Sequence, residues 1–207
     1  KLVTNSRNIE SEVKAVYGDA FAVEICQNPF EEYGIDETIA QALEKEVGLK
    51  GGGRISIEET RACTAVDVDS GRDVGGGALN RINEEAAYEI ARQIRLRNLA
   101  GKIVIDFAGH SEYKYIKPLL EILERELAKD SIKSHVAGLS RAGLVEIIRV
   151  RRRPSLSELM TEECPTCNGT GRVEKGPENG GSSENLPLPD LRQGGAGGKI
   201  PSVLFQT

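Results

Sequence analysis

The stretch Ala62–Arg72, ACTAVDVDSGR, decides how this chain reads. Its side chains alternate as they do along a strand, with Thr64, Val66 and Val68 on one face and Ala65, Asp67 and Asp69 on the other. Two carboxylates therefore share a face, about 7 Å apart at a rise of ~3.3 Å per residue. A Ser-Gly turn follows at once. Further along, in KIVIDF, the apolar run Ile103–Ile105 ends on Asp106. Such a run predicts a strand buried on both faces, with the acid at its carboxyl end. Acids at the carboxyl ends of neighbouring strands lie where an open α/β sheet builds its binding crevice. Oxygen-only ligands at this spacing suit Mg²⁺ or Mn²⁺. Asp67 taken alone fits a turn or a cap as well as a ligand; its pairing with Asp106 favours the metal.

Upstream of this stretch, Ile9, Val13 and Val16 carry a helical spacing, Gly18-Asp19 a turn, and Phe21–Ile25 a strand. Asp36 offers an N-cap to a second helix whose stripe is Ile39, Ala40, Leu43 and Val47, with Gly48 ending it. Gly51-Gly52-Gly53 then reads as a loop between helix and strand. A phosphate cradle is the alternative, but no G-x-x-x-x-G-K pattern supports it. Arg54–Ile57 and Ala62–Asp69 form a hairpin-like pair. Downstream, Gly75-Gly76-Gly77 opens onto the strongest helix, with Asn83 as candidate cap and Ile82, Ala86, Ile90 and Ile94 as its buried stripe. Arg92, Arg95 and Arg97 crowd its end, where they suit the helix dipole or meet phosphate. A further helix carries Pro118 in its first turn and Ile116, Leu119, Leu120, Leu123 and Leu127 as its stripe. Strands over Ile132–Val136 and Leu144–Val150 complete the order β-β-α-β-α-β-β. That order predicts an α/β domain with a mixed sheet.

The 207 residues suit one moderate domain, or one and a fraction, with room for a core. A net charge of −5 excludes a globally basic nucleic-acid binder, so any RNA site must be a local basic patch. No apolar run approaches the ~20 residues that span a bilayer, and nothing resembles a signal peptide. Four cysteines, two of them in CPTC, point to a reducing, cytoplasmic setting and a metal rather than disulfides. The chain opens on Lys1 without an initiator Met, as a piece of a longer protein would. From Lys175 onward the text is rich in Gly, Pro, Ser and Asn, too poor in apolar residues to offset its ordering entropy, and predicts disorder. Val203–Phe205 reads as a docking motif or as nothing.

Cys164-Pro165-Thr166-Cys167, followed by Asn-Gly-Thr-Gly, is the second motif with chemistry. A C-x-x-C turn presents two thiolates to one tetrahedral ion, and structural zinc wants four ligands. Cys26 and Cys63 read as buried small hydrophobes. His110 and His135 have no knuckle spacing to Cys164. The missing pair most simply comes from a second copy of the chain sharing one Zn²⁺. A redox C-x-x-C competes, but such motifs start a helix, and glycines follow here.

Four stretches together resemble the catalytic core of the ribonuclease E/G family: the run EEYGIDETIAQALEKEVGLKGGGRISIEETRACTAVDVDSG, then IARQIRLRNLAGKIVIDF, GLVEIIRVRRRPSL and ECPTCNGTG. The likeness runs from about Phe30 to Val173, more weakly over residues 1–29, and keeps the family's motif order. It implies an endoribonuclease specific for single-stranded RNA, which uses Mg²⁺ and leaves a 5′ phosphate. It implies that residues 1–43 end a ribonuclease-H-like subdomain and that 44–163 form a deoxyribonuclease-I-like catalytic subdomain. Residues 164–173 match the family's zinc link, where two protomers share one ion, and 174–207 are left as a disordered tail. By position, Asp67 and Asp106 match the two metal-binding catalytic aspartates, and Asp69 stands where the family usually has Asn, a supporting residue in the catalytic site. Lys133 falls where a basic residue helps to hold the RNA 5′ end. Phe107–His110, FAGH, departs from the family's usual FIDM. The family's oligonucleotide-binding domain is absent from this stretch, and the tail replaces its small C-terminal domain.

The basic run Arg149, Arg151, Arg152 and Arg153, with Arg141 before it, offers phosphate contacts for a single strand, or a solvated strand end. A rival from another class is a non-catalytic zinc-linked module that dimerises and binds RNA, its acids vestigial. FAGH favours it; retention of both aspartates opposes it. J-protein chaperones also carry C-x-x-C-x-G-x-G, but in several copies, and one stands here.

Overall fold

The computed structural model describes residues 1–20, 22–71, 76–109 and 112–173. Lys1–Glu162 form one compact unit, and the described residues from Glu163 onward belong to a second. The expected disordered tail after Lys175, Val203–Phe205, Gly75 and His110 lie outside the described residues.

The first part of the chain runs as β1 (Leu2–Thr4), α1 (Arg7–Tyr17), a 3-10 turn (Gly18–Ala20), β2 (Val23–Ile25), α2 (Pro29–Glu32) and α3 (Ile35–Leu43). β1 and β2 pair in parallel. Ser6 starts α1 by accepting the Ile9 N–H. The helix forms as its spacing predicts, but Ile9 and Val16 stay exposed. α3 starts from Gly34 at φ +62, so Asp36 lies in the first turn instead of at the cap. There its charge still complements the helix dipole. Val47, expected on that helix, belongs to strand β3 (Glu46–Gly48). The cause is tertiary pairing: Val47 stands opposite Ile55, and the Lys45 carbonyl accepts the Ile57 N–H.

The second part runs β4 (Arg54–Glu59), β5 (Thr64–Asp69), α4 (Gly76–Leu96), β6 (Gly101–Asp106), α5 (Tyr113–Leu127), β7 (Ser134–Leu139), β8 (Val145–Arg149) and α6 (Leu156–Met160). This is the expected element order, with β3 added at the sheet edge and α6 after the last strand. The sheet order is β3-β4-β5-β6-β8-β7. Only β5 and β6 are parallel, and every other pair is antiparallel, so the sheet is mixed. The parallel pair follows from the long crossover through α4.

One face of this sheet closes the core. Ile55, Ile57, Val66, Val68, Ile103, Ile105, Val145 and Ile147 bury against Ile82, Ala86, Ile90 and Ile94 of α4 and Ile116, Leu119, Leu123 and Leu127 of α5. Each fully buried Ile or Leu contributes roughly 1.5–3 kcal/mol. Ile103 and Ile105 are wholly buried, but Val104 between them is half-buried on the other face. β6 is therefore not buried on both faces as its apolar run predicts; among the described residues the opposite face of the sheet lies open.

Three further expectations change. Asn83 is no cap, because α4 begins at Gly76, and the residue is buried in mid-helix. Pro118 sits in the second turn of α5, not its first. The glycines 51–53 join strands β3 and β4 and not a helix to a strand. Their loop is anchored by Glu85, whose carboxylate accepts the Lys50 and Gly51 N–H groups. A Cβ at Gly53 would lie 2.7 Å from the Asp69 carbonyl oxygen, so only glycine allows this approach.

Candidate active site

The open face is organised in rows by strand register. Ser56, Asp67 and Asp106 stand opposite one another across β4, β5 and β6. The next row is Glu58, Ala65, Val104 and Glu146. Asp67 and Asp106 are thus direct partners across the parallel pair, one inter-strand spacing of ~4.8 Å apart. Both are exposed, and among the described residues no hydrogen bond or ion pair occupies either carboxylate. They line a shallow hollow of about 240 Å³ with Ser56, Glu58, Ala65, Val104 and Leu144. Two uncommitted carboxylates side by side suit a hard divalent cation that keeps several waters. Among the described residues no group of three His, Cys, Asp or Glu side chains is gathered as a metal cage.

Asp69 shares the face but is committed elsewhere. Its carboxylate accepts the Gly71 N–H at 2.8 Å and pairs with Arg54 at 3.0 Å. The Gly71 N–H, joined by the Arg54 guanidinium, holds this carboxyl below the usual carboxylate range against an opposing push from burial. Its place is to fasten the end of β5 to β4 beside the acid pair.

The basic residues divide between the two ends of the sheet. Arg141 is exposed in the turn between β7 and β8, and Val145 at the start of β8 stands opposite Ile105. It therefore lies at the same sheet end as Asp106. Lys133 precedes β7 and accepts the Val150 N–H through its carbonyl, while Arg149 stands opposite Gly101. That is the far end of β6, roughly 16 Å from Asp106 at ~3.3 Å per residue. Arg151, Arg152 and Arg153 follow there, exposed, with Arg151 paired to Glu158 at 3.2 Å.

Arg149 is a correction. Only 2% exposed, it pairs with Asp130 at 2.8 Å and donates to Asn98 Oδ1 and the Leu99 carbonyl. Burial pushes the Asp130 carboxyl up, but the Arg149 guanidinium and the Ile132 N–H outweigh it and leave it below the ordinary range. Four of the five Arg149 N–H groups are bonded inside the fold and the side chain is buried, so it is unavailable to a phosphate. The helix arginines are also engaged within the fold, Arg92 at the surface and Arg95 and Arg97 further in. Arg92 pairs with Glu89, Arg95 donates to the Glu126 carbonyl, and Arg97 is buried with its Nε on Gln93.

In the second unit, the Cys164 thiol is pulled down by the N–H of Cys167, then that of Thr166. Asn168 at φ +48, Gly169 at φ +76 and Gly171 at φ +67 turn the backbone around the pair. Two thiols on such a turn, that of Cys164 already lowered, fit one soft ion, with two ligands still to be supplied. Cys63 lies just before β5, half-buried, and Cys26 donates to Glu32, so neither is the small core hydrophobe the sequence suggested.

Residue-by-residue reading missed Ser56 and Leu144, because they enter the site only through register and turn length. It also misassigned Asn83, whose position beside the apolar stripe of α4 was the available signal.

The sequence model of the Ribonuclease E/G family matches residues 2–152, a stretch that takes in Asp67, Asp106, Lys133 and Arg141 and stops before Cys164. Ribonuclease G of Escherichia coli strain K12 is 42% identical over 149 residues, covering 70% of this chain and 30% of the relative. Ribonuclease G of Haemophilus influenzae shows the same identity and coverage. Ribonuclease E of Escherichia coli strain K12 is 39% identical over 167 residues, covering 79% of this chain and 15% of the relative. The chain thus spans under a third of the length of these relatives. On this match and these identities, the chain belongs to the ribonuclease E/G family.

Proposed function

We propose that this chain carries the catalytic core of a metal-dependent endoribonuclease that hydrolyses single-stranded RNA and leaves a 5′ phosphate. The observation that carries this reading is the direct pairing of Asp67 with Asp106 on an open sheet face. Family membership supplies the substrate class. Asp67 and Asp106 would hold Mg²⁺ or Mn²⁺, which polarises a phosphodiester and makes a bound water more acidic. Arg141, at the same sheet end, contacts a phosphate of the strand. Asp69 holds the end of β5 through Arg54 and Gly71, which fixes the place of Asp67 two residues earlier. Lys133, Arg151, Arg152 and Arg153 extend the phosphate contacts at the far sheet end, away from the reacting bond. On this reading residues 1–43 end a ribonuclease-H-like subdomain and 44–163 form a deoxyribonuclease-I-like one.

Cys164 and Cys167 act as half of a zinc site completed by a second chain, making a homodimer in a reducing, cytoplasmic setting. The lowered Cys164 thiol supports this, since metal ligation needs the thiolate. One zinc per two chains is expected from metal analysis with sedimentation. Cys164→Ser with Cys167→Ser should leave monomers. A zinc-free monomer of the parent chain at micromolar concentration excludes the shared site.

The deciding experiment is cleavage of a 5′-monophosphorylated single-stranded RNA, with Mg²⁺ and with chelator. Chelator-sensitive cleavage is expected. A second reading, a zinc-linked RNA-binding module without catalysis, is favoured by one observation, that no three His, Cys, Asp or Glu side chains are gathered around a common point among the described residues. RNA binding without cleavage at saturating metal would select it.

A further inference from the structure

Asn83 has a place in the fold that the acid pair alone does not explain. It lies in mid-α4, next to the stripe that buries Ile82, Ala86 and Ile90, and is only 2% exposed. A buried amide there is costly unless every polar atom is paired, and an apolar side chain would suit the surroundings better. Its pairing is specific. Asn83 Nδ2 donates to the Ala108 carbonyl at 2.9 Å, and the Ala108 N–H donates back to Asn83 Oδ1 at 3.1 Å. The amide thus grips one peptide residue on both sides, as a neighbouring strand would.

That residue lies two beyond Asp106. On the β8 side the ladder of β6 stops at Ile105, opposite Val145. On the β5 side it ends with Asp67 and Asp106 themselves. The backbone that carries Asp106 would leave the sheet with one neighbour only, were Asn83 not holding it from α4. A second contact supports the same approach: Gly109 adopts φ +70, and a Cβ there would lie 2.7 Å from Leu79 Cδ2 of α4. Phe107, between Asp106 and Ala108, is buried.

We infer that Asn83 is a positioning residue, which sets the orientation of the Asp106 carboxylate toward Asp67 and thereby the metal affinity of the pair. The inference rests on the acid pair being the metal site. Groups that orient a ligand without touching the ion commonly change metal affinity by about 10- to 100-fold when replaced. Asn83→Leu removes both bonds. Asn83→Asp keeps the acceptor for the Ala108 N–H and loses the donor to its carbonyl.

The test is Mn²⁺ binding to the full chain, followed by water-proton relaxation, with thermal melts of the metal-free proteins alongside. The parent, Asp67→Asn, Asn83→Leu and Asn83→Asp are compared. Both Asn83 variants should bind Mn²⁺ about 10-fold more weakly. A folded Asn83 variant with parental Mn²⁺ affinity overturns the inference, and Asn83→Asp decides it if Asn83→Leu does not fold. A parent that binds no Mn²⁺, or an Asp67→Asn chain that binds it undiminished, removes the metal site and the inference together. Binding lost on Asp67→Asn but kept on both Asn83 variants removes the positioning role alone. Without any variant, linkage requires that Mg²⁺ slow hydrogen exchange at the Ala108 amide of the parent, since ion and clamp favour the same arrangement. Unchanged exchange at saturating Mg²⁺ counts against the clamp.

Discussion

The two faces of the six-stranded sheet are built from the same strands and differ in almost every other respect. On β6, Ile103 and Ile105 are wholly buried under the helices, while Val104 and Asp106 look out from the opposite face. On β5, Val66 and Val68 are buried and Asp67 is exposed. A strand presents successive side chains to opposite sides, so each of these segments specifies a core and a site at once. The covered face holds the fold together through apolar area. The open face contributes little to stability, which leaves it free to carry two adjacent carboxylates.

This contrast yields a graded set of expectations. The largest falls on the buried side. Arg149→Ala leaves Asp130 without its cation and the Leu99 carbonyl without its donor, so urea denaturation should show a loss of about 3–5 kcal/mol. The same pair gives a pH signature. Because the Asp130 carboxyl is held below its ordinary range, its stabilisation is present above the unfolded value, ~3.9, and is lost as pH falls through the lower folded value. Denaturation midpoints of the parent and Asp130→Asn should therefore converge on acidification. A gap that is constant with pH would show that Asp130 acts by packing and not by charge.

Neighbouring residues on one strand sharpen the contrast. Ile103→Ala opens a cavity in the core and should cost about 2–5 kcal/mol. Val104→Ala, one residue on but facing outward, should cost about 0.5 kcal/mol. Equal losses would mean that the open face is covered.

On the open face the effects should appear in rate and not in stability. Asp67→Asn keeps the side chain's size and removes a charge, so single-turnover cleavage should fall at least ~10²-fold. Asp106→Asn should behave alike, with the double variant little worse than either, because both act through one ion. Denaturation midpoints should stay near the parent's. Cleavage by Asp67→Asn at the parental rate under saturating metal would leave only the non-catalytic reading.

The smallest effect is expected at Asp69. Asn there can still accept the Gly71 N–H through its carbonyl oxygen, but puts an NH2 where Asp69 accepts from Arg54 and so loses that ion pair. Asp69→Asn should keep most activity, with a shift in preference from Mn²⁺ toward Mg²⁺ in a metal titration. A loss as deep as that of Asp67→Asn would make Asp69 a direct ligand.

Much of this was legible before the fold was seen. The stripes of α4 and α5 read correctly, since a residue on a 3.6 period must bury if its neighbours do. What failed were boundaries and partners. Asn83 resembles a cap locally, but α4 continues seven residues upstream of it because the helix packs along the sheet. Val47 fits a helical stripe, yet β4 recruits it as a strand. Arg149 reads like its exposed neighbours Arg151–Arg153, and nothing in its own segment announces that Asp130, Asn98 and Leu99 surround it.

By itself the sequence determined the element order, the apolar faces, and the presence of acids at the ends of two strands and of a C-x-x-C turn. These are local properties, set by the periods of the strand and the helix and by side-chain chemistry. Only the tertiary structure decided that β5 and β6 are neighbours in parallel register, so that Asp67 stands directly opposite Asp106. It also decided which arginines remain at the surface, and that α4 reaches past the sheet to hold the peptide after Asp106. The reason is physical: pairing across a sheet depends on long-range closure and shared burial, and no single segment carries that information alone.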